Sequence, residues 1–165
     1  MATQAPGEDA FIALGSNLGD RGAEIEQALV EIAALPCTRL VARSSQYESA
    51  PLQAGGGDYR NAVVQVRTAL APLALLHALL AIEASHGRER RFVNAPRTLD
   101  LDLLLHGTAE MVSDGLVLPH PRLHERAFVL APLAEISPGL AVPGRGRVED
   151  LLRGVAAQRI AKLDR

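Results

Sequence analysis

Asp100 and Asp102 stand one residue apart in TLDLDLLL (residues 98–105), a run that is otherwise almost wholly apolar. In an extended strand, side chains two residues apart point the same way at a spacing of roughly 6.6–7 Å. Both carboxylates therefore share one face, and Leu99, Leu101 and Leu103 share the other. Two ionised carboxylates at that separation repel by about 2–3 kcal/mol at an effective dielectric of about 20. They need water, arginine or a cation beside them. A hard divalent ion such as Mg²⁺ suits carboxylate oxygens and keeps waters that substrate phosphates replace. Taken alone, however, an Asp-x-Asp pair is more often just the solvated face of a strand.

The neighbouring residues shift that balance. Arg88, Arg90, Arg91 and Arg97 fall within ten residues and run directly into this strand. Guanidinium forks match phosphate oxygens. The only lysine is Lys162, so a Walker-type phosphate loop is excluded. A run of charge is ordinarily a solvated surface, but four arginines abutting paired aspartates across a proline-containing turn point to a metal-phosphate site. Phosphoryl transfer depends mainly on positioning and charge neutralisation, which these side chains supply.

Other residues are more ambiguous. Glu83, near the end of a helix, either reaches toward the arginines or is a surface carboxylate; His77 and His86 read as ordinary helix and cap histidines. LPHPRLHERAF (118–128) gathers His120, Arg122, His124, Arg126 and Phe128, without a further ligand at zinc spacing. Tyr59 and Asn61 share a strand face, a stacking ring beside an amide that can read a heterocycle edge. Without a partner site they read as a core residue and a turn residue.

The elements that must position these groups follow from periodicity. AFIALGSN (10–17) predicts a short strand breaking into a Gly-Ser-Asn turn, and Asp20 offers an N-cap to a helix running to about Leu35 with Ile25, Leu29 and Ile32 buried. Pro36 ends it, and residues 38–49 read as a strand with Leu40, Ala42 and Ser44 on one face. Residues 50–58, with three consecutive glycines, read as a flexible loop, and 59–68 as a half-buried strand. A helix from Pro72 to Gly87, a basic loop and the aspartate strand complete a β-α-β-β-α-β order. That order predicts an α+β, ferredoxin-like core: an antiparallel sheet with helices on one face. Beyond Gly107, a hairpin turning at Asp114 and Gly115 and short helices over 121–139 and 147–163 extend it.

With 165 residues, 48% of them hydrophobic, one domain over 1–165 is expected, with 1–9 a disordered extension. A net charge of −2 and only 3% aromatic residues give no general nucleic-acid platform. One cysteine, Cys37, and no apolar run of the roughly 20 residues that span a bilayer lead to the expectation of a soluble, cytoplasmic protein without a membrane partner. The residues alone leave open a two-metal phosphoryl or nucleotidyl transferase and a non-enzymatic small-molecule-binding module.

The segments IALGSNLGDR, SSQYESAPL, DYRNAVVQV, NAPRTLDLDLLLHG and LPHPRLHERAFVLAPLAEISP together resemble, in order and over about residues 10–160, the 6-hydroxymethyl-7,8-dihydropterin pyrophosphokinases of folate biosynthesis. The resemblance implies a ferredoxin-like fold and transfer of the pyrophosphoryl group of ATP, the co-substrate, to the pterin hydroxymethyl oxygen with release of AMP. It implies two Mg²⁺ ions on Asp100 and Asp102, with Arg88 and Arg97 joining them in catalysis. ATP would be held by Glu83, Arg88, Arg90, Arg97, Leu103, His120 and Arg126. The pterin would meet Ser49, Ala50, Pro51, Leu52, Asn61 and Asp100 and stack between Tyr59 and Phe128. Loops after the first strand, at Glu48 to Asp58 and at Gly87 to Thr98 would close over the substrates, and the enzyme would be a monomer acting on small molecules. The chain departs from many relatives at Val93 and Asn94, where they carry a basic and then an aromatic residue.

Overall fold

The computed structural model describes residues 7–16, 21–49, 59–86 and 99–163. In chain order its elements are β1 (Glu8–Ser16), α1 (Arg21–Ala33), β2 (Thr38–Arg43), β3 (Tyr47–Ser49), β4 (Tyr59–Thr68), α2 (Pro72–Ser85) and β5 (Asp100–His106). The hairpin β6 (Met111–Ser113) and β7 (Leu116–Leu118) comes next, then a 3₁₀ turn (Leu123–Glu125) and α3 (Ala127–Ile136). A second small hairpin, β8 (Ala141–Val142) and β9 (Gly146–Arg147), leads to α4 (Val148–Gly154) and β10 (Ile160–Lys162).

The main sheet runs β10-β3-β4-β1-β5, with β2 also paired to β4, and every pairing is antiparallel. Thr38 lies opposite Thr68 and Tyr47 opposite Asn61, so β2 and β3 are two halves of one path along β4. The expected α+β architecture and strand order therefore hold. Where 38–49 reads as one strand, a register shift between Leu40 and Ala42 and a break at residues 44–46 divide it. Ser44 bridges the break: its N–H donates to Val63 O at 2.9 Å and its Oγ accepts from Val63 N–H at 2.9 Å.

Alternation sends each strand's side chains to two cores. Ala10, Ile12 and Leu14 of β1 and Ala62, Val64 and Val66 of β4 meet Ile25, Leu29 and Ile32 of α1 and Leu75, Leu79 and Ile82 of α2. On the opposite face Phe11 and Val63 lie under Val129, Leu130 and Leu133 of α3 and Val148 of α4. Each fully buried aliphatic side chain contributes about 1.5–3 kcal/mol. The core helices α1 and α2 thus share one face as expected, and the C-terminal helices cover the other.

A bulge divides the side chains of β5 between these two cores. Ile12 pairs with Leu103 but Phe11 with Leu105, so Leu104 is the extra residue. Leu99, Leu101 and Leu103 belong to the α1/α2 core, while Leu104 and Leu105 belong to the α3 core. Asp100 and Asp102 accordingly point to the α3 side.

Several boundaries differ from expectation. β1 begins at Glu8, within the stretch assigned to a disordered extension, and it keeps Gly15 and Ser16 in the ladder where a turn is predicted. The helix expected over 121–139 starts at Ala127, after the 3₁₀ turn. The one expected over 147–163 ends at Gly154, and Ile160–Lys162 instead becomes β10, because β3 has a free edge whose backbone groups need a partner.

Glu135, in the last turn of α3, fastens the helix to the break between β2 and β3. It accepts from the Tyr47 hydroxyl at 2.7 Å, from Ser45 N–H at 3.0 Å and from Ser45 Oγ at 2.9 Å. Burial raises its carboxyl pKa, but these donors and the charge of Lys162 outweigh it and hold the group below its ordinary value. Burial and then Glu135 push the Tyr47 phenol up. A depressed folded-state pKa stabilises the fold above the carboxyl's unfolded pKa, and that stabilisation is lost as pH falls through the folded value. Glu135→Ala is expected to lower stability by on the order of 1 kcal/mol near neutral pH. In denaturant titrations the gap from wild type should shrink on acidification through the carboxylate range; a gap independent of pH would refute the linkage.

Candidate active site

The register of β1 with its two neighbours assembles the site. Asn61 lies opposite Gly15, and Gly15 opposite Asp100; Val63, Ala13 and Asp102 form the parallel row. Asn61 and Tyr59 are two apart on β4 and share the face of Val63 and the two aspartates. Asn61 is buried in the strand rather than in a turn, and its Nδ2 donates to Ser49 Oγ at 2.7 Å. Tyr59 is half-buried. Phe128, in the first turn of α3, packs against the core on this same face, with the Arg126 guanidinium 5.5 Å from its ring centroid.

Gly15 joins the site although its place in the sequence reads only as a turn. A Cβ there would lie 3.3 Å from Asn61 Oδ1 and 4.0 Å from the Tyr59 ring, so its missing side chain keeps the floor between Asn61 and Asp100 open. Extending the two-residue alternation through IALGS places it on that face.

Both aspartates are half-buried on β5, which pairs only with β1 among the described strands. Glu83, which spacing alone reads as a surface carboxylate, is buried at 3% exposure, and its Oε2 accepts from Leu101 N–H at 2.6 Å, between the two aspartates. This carboxylate supports the strand from behind. His86 keeps its cap reading: it ends α2, and its ring nitrogens bond Glu24 and Glu31 of α1 at 2.6 Å each. Burial lowers its pKa, but the two carboxylates outweigh burial and raise it.

His120 joins the aspartates through β5. Its N–H donates to Leu104 O at 2.9 Å, and its Nδ1 accepts from Arg122 N–H at 3.1 Å. An Nδ1 that accepts leaves the proton of the neutral ring on Nε2. Burial, joined by the charges of Arg126 and Arg122, holds the imidazole below its ordinary range against the opposing pull of Asp102. Beside Asp102 and His120 opens a cavity of ≈ 340 Å³ walled by Leu76, Leu101, Leu103 and Leu116. Leu103, expected to contact ATP, is one of these walls.

Among the described residues no group of three or more His, Cys, Asp or Glu side chains could hold a metal ion. Two carboxylates at strand spacing are nonetheless a donor set that fits Mg²⁺, which takes one or two protein carboxylates and completes its shell with water and phosphate. Arg88, Arg90, Arg91, Arg97, Ala50, Pro51 and Leu52 lie outside the described residues.

These features define an α+β domain of ferredoxin-like strand order with an acidic pair, a ring-and-amide slot and an apolar cavity around one strand. Residues 11–138 match the family 7,8-dihydro-6-hydroxymethylpterin-pyrophosphokinase, HPPK. The chain is 41% identical over 156 residues to the 2-amino-4-hydroxy-6-hydroxymethyldihydropteridine pyrophosphokinase of Methylorubrum extorquens, covering 94% of this chain and 93% of the relative. It is 44% identical over 156 residues to the enzyme of the same name from Pseudomonas aeruginosa, covering 93% and 95%. A crystal structure of wild-type Plasmodium falciparum HPPK-DHPS with pteroate superposes with a TM-score of 0.71 at 13% identity, over 95% of this chain and 44% of that longer one. At that identity the likeness concerns the fold. The chain belongs to the 6-hydroxymethyl-7,8-dihydropterin pyrophosphokinase family. It is a transferase that passes pyrophosphate to the hydroxymethylpterin in folate biosynthesis.

The hydrogen bond from Arg122 predicts that ¹⁵N NMR finds His120 as the neutral Nε2–H tautomer near neutral pH, titrating below an unperturbed imidazole. Observation of the Nδ1–H form would overturn this assignment.

Proposed function

We propose that the sheet face carrying Asp100, Asp102, Tyr59 and Asn61, together with Phe128 of α3, is where the terminal pyrophosphoryl group of ATP passes to the pterin hydroxymethyl oxygen. The observation that carries this reading is the register itself: Asn61, Gly15 and Asp100 in one row, Asp102 in the next, and the cavity beyond it.

The pterin stacks between Tyr59 and Phe128 over the gap at Gly15. With Asn61 Nδ2 committed to Ser49, Oδ1 is the acceptor aimed at that gap and available to N–H groups of the ring. Ser49 holds the amide in place, and residues 50–52 supply further contacts. The nucleotide lies on the opposite side of Asp102, its base against the apolar wall that includes Leu103 and its phosphates toward His120 and Arg126. His120 offers a neutral Nε2–H to a phosphate oxygen, and Arg126 offers a guanidinium. Arg88, Arg90 and Arg97 complete the charge neutralisation, with Arg88 and Arg97 in the catalytic role that the family resemblance implies.

Asp100 and Asp102 would hold the Mg²⁺, two ions in this reading. When bound, the metal offsets the repulsion between the carboxylates and polarises the phosphate under attack. The hydroxymethyl oxygen attacks the β-phosphorus in line and gives up its proton to solvent, the bond from that phosphorus to the α,β-bridging oxygen breaks, and AMP leaves with that bond's electron pair. Glu83 keeps the backbone between the aspartates fixed, so that both carboxylates hold their spacing. The same reading has the enzyme act in the cytoplasm as a monomer on small-molecule substrates, with neither nucleic acid nor membrane as partner. No helix among the described residues is long and apolar enough to cross a membrane.

Incubation with ATP, Mg²⁺ and the reduced pterin should release AMP stoichiometrically with product; formation of ADP would reject the chemistry. Asp100→Asn and Asp102→Asn should each lower kcat by about 10²–10³-fold while leaving the circular dichroism spectrum unchanged. Retention of Mg²⁺-dependent turnover by both variants would remove the aspartates from the site. Gly15→Val, which fills the floor beneath the ring, should raise the KM for the pterin by about tenfold or more and alter the KM for ATP far less. Equal effects on the two substrates would move the pterin elsewhere.

A further inference from the structure

We propose that Gln158, in the C-terminal segment and remote in sequence from every motif of the site, is a positioning residue for Arg126 and Phe128, and through Phe128 for the pterin. Its Oε1 accepts from Ala127 N–H at 2.9 Å, and its Nε2 donates to Glu125 O at 2.7 Å. Those two groups belong to the peptide planes on either side of the Arg126 Cα. The angles between these planes and that Cα are the φ and ψ of Arg126, here −123° and 109°. One rigid side-chain amide bonded to both planes therefore fixes the conformation from which α3 departs. It also serves as a cap from a distance, because Arg126 occupies the N-cap position of α3 without a side-chain capping bond of its own.

Gln158 is itself held. Two residues on, Ile160 pairs with Ser49 of β3, and Leu163 N–H donates to Gln46 O at 2.9 Å. Ser49 is the residue whose hydroxyl holds Asn61. The segment 158–163 thus ties the Asn61 side of the pterin slot to the Phe128 side, and the spacing of its walls depends on this tie. The inference rests on the reading of Phe128 and Arg126 as substrate contacts.

Steady-state kinetics and thermal unfolding of the full-length Gln158→Ala, Gln158→Glu and Phe128→Ala variants test it. A glutamate at 158 still accepts from Ala127 N–H at the start of α3, where negative charge is favoured, but it cannot donate to Glu125 O. Both Gln158 variants should raise the KM for the pterin about fivefold with kcat changed far less, while Gln158→Glu unfolds at the wild-type temperature. A merely structural cap would show in stability alone: Gln158→Ala would lose thermal stability, Gln158→Glu would recover it, and neither would alter KM. That result overturns the proposal. If Phe128→Ala raises the pterin KM and the Gln158 variants do not, the clamp alone fails. If Phe128→Ala also leaves KM unchanged, the substrate-contact reading fails and the clamp falls with it.

Discussion

The structure depends on the register of β1 between β4 and β5. Because side chains alternate with a period of two, a slip by one residue on either side would send Ile12 and Leu14 out of the α1/α2 core and turn a whole row of polar groups inward. The apolar set that forbids the slip also decides which groups face α3. Asn61, Gly15 and Asp100 share a row because Leu14 and Leu101 are buried on the opposite face. Fold stability and site geometry are set by the same pairing. The bulge at Leu104 lets β5 give Leu101 and Leu103 to one core and Leu105 to the other, with both aspartates still on one face.

Around this row the charges are managed by position. A buried carboxylate is costly unless hydrogen-bonded, and Glu83 meets that requirement with the Leu101 amide. The same bond restrains the peptide between Asp100 and Asp102. His120 is kept neutral by burial and the nearby arginine charges and is oriented by a backbone amide, so it can donate a hydrogen bond without adding charge beside the guanidiniums. In the proposed reading the pterin meets neutral amide and hydroxyl groups, and the phosphates meet arginines beside a neutral imidazole. That division suits one uncharged heterocycle and one polyanion.

Much of this was legible in the sequence wherever a short-range period governs. Two-residue alternation put Asp100 and Asp102 on one face and Tyr59 with Asn61 on another strand; helical spacing found Ile25, Leu29 and Ile32; Asp114 and Gly115 marked the hairpin turn. Contacts between residues distant in the chain were not legible. Glu83 looks like a surface carboxylate until α2 is laid against β5, and Gly15 looks like a turn until β4 and β5 flank it. Residues 160–162 continue a helical pattern in isolation, and only the free edge of β3 makes them a strand. The family resemblance supplied the substrate, which no spacing could.

The Glu83 carboxylate on Leu101 N–H and the His120 amide on Leu104 O have a consequence for assembly. Among the described strands β5 is outermost, and it carries an apolar sequence, LDLLL, of the kind that invites another chain to add alongside it. Two of the backbone groups that a newcomer would use are already taken by fixed groups of the same molecule. The Glu83 carboxylate and the His120 amide thus cap part of an edge that would otherwise be open to strand addition.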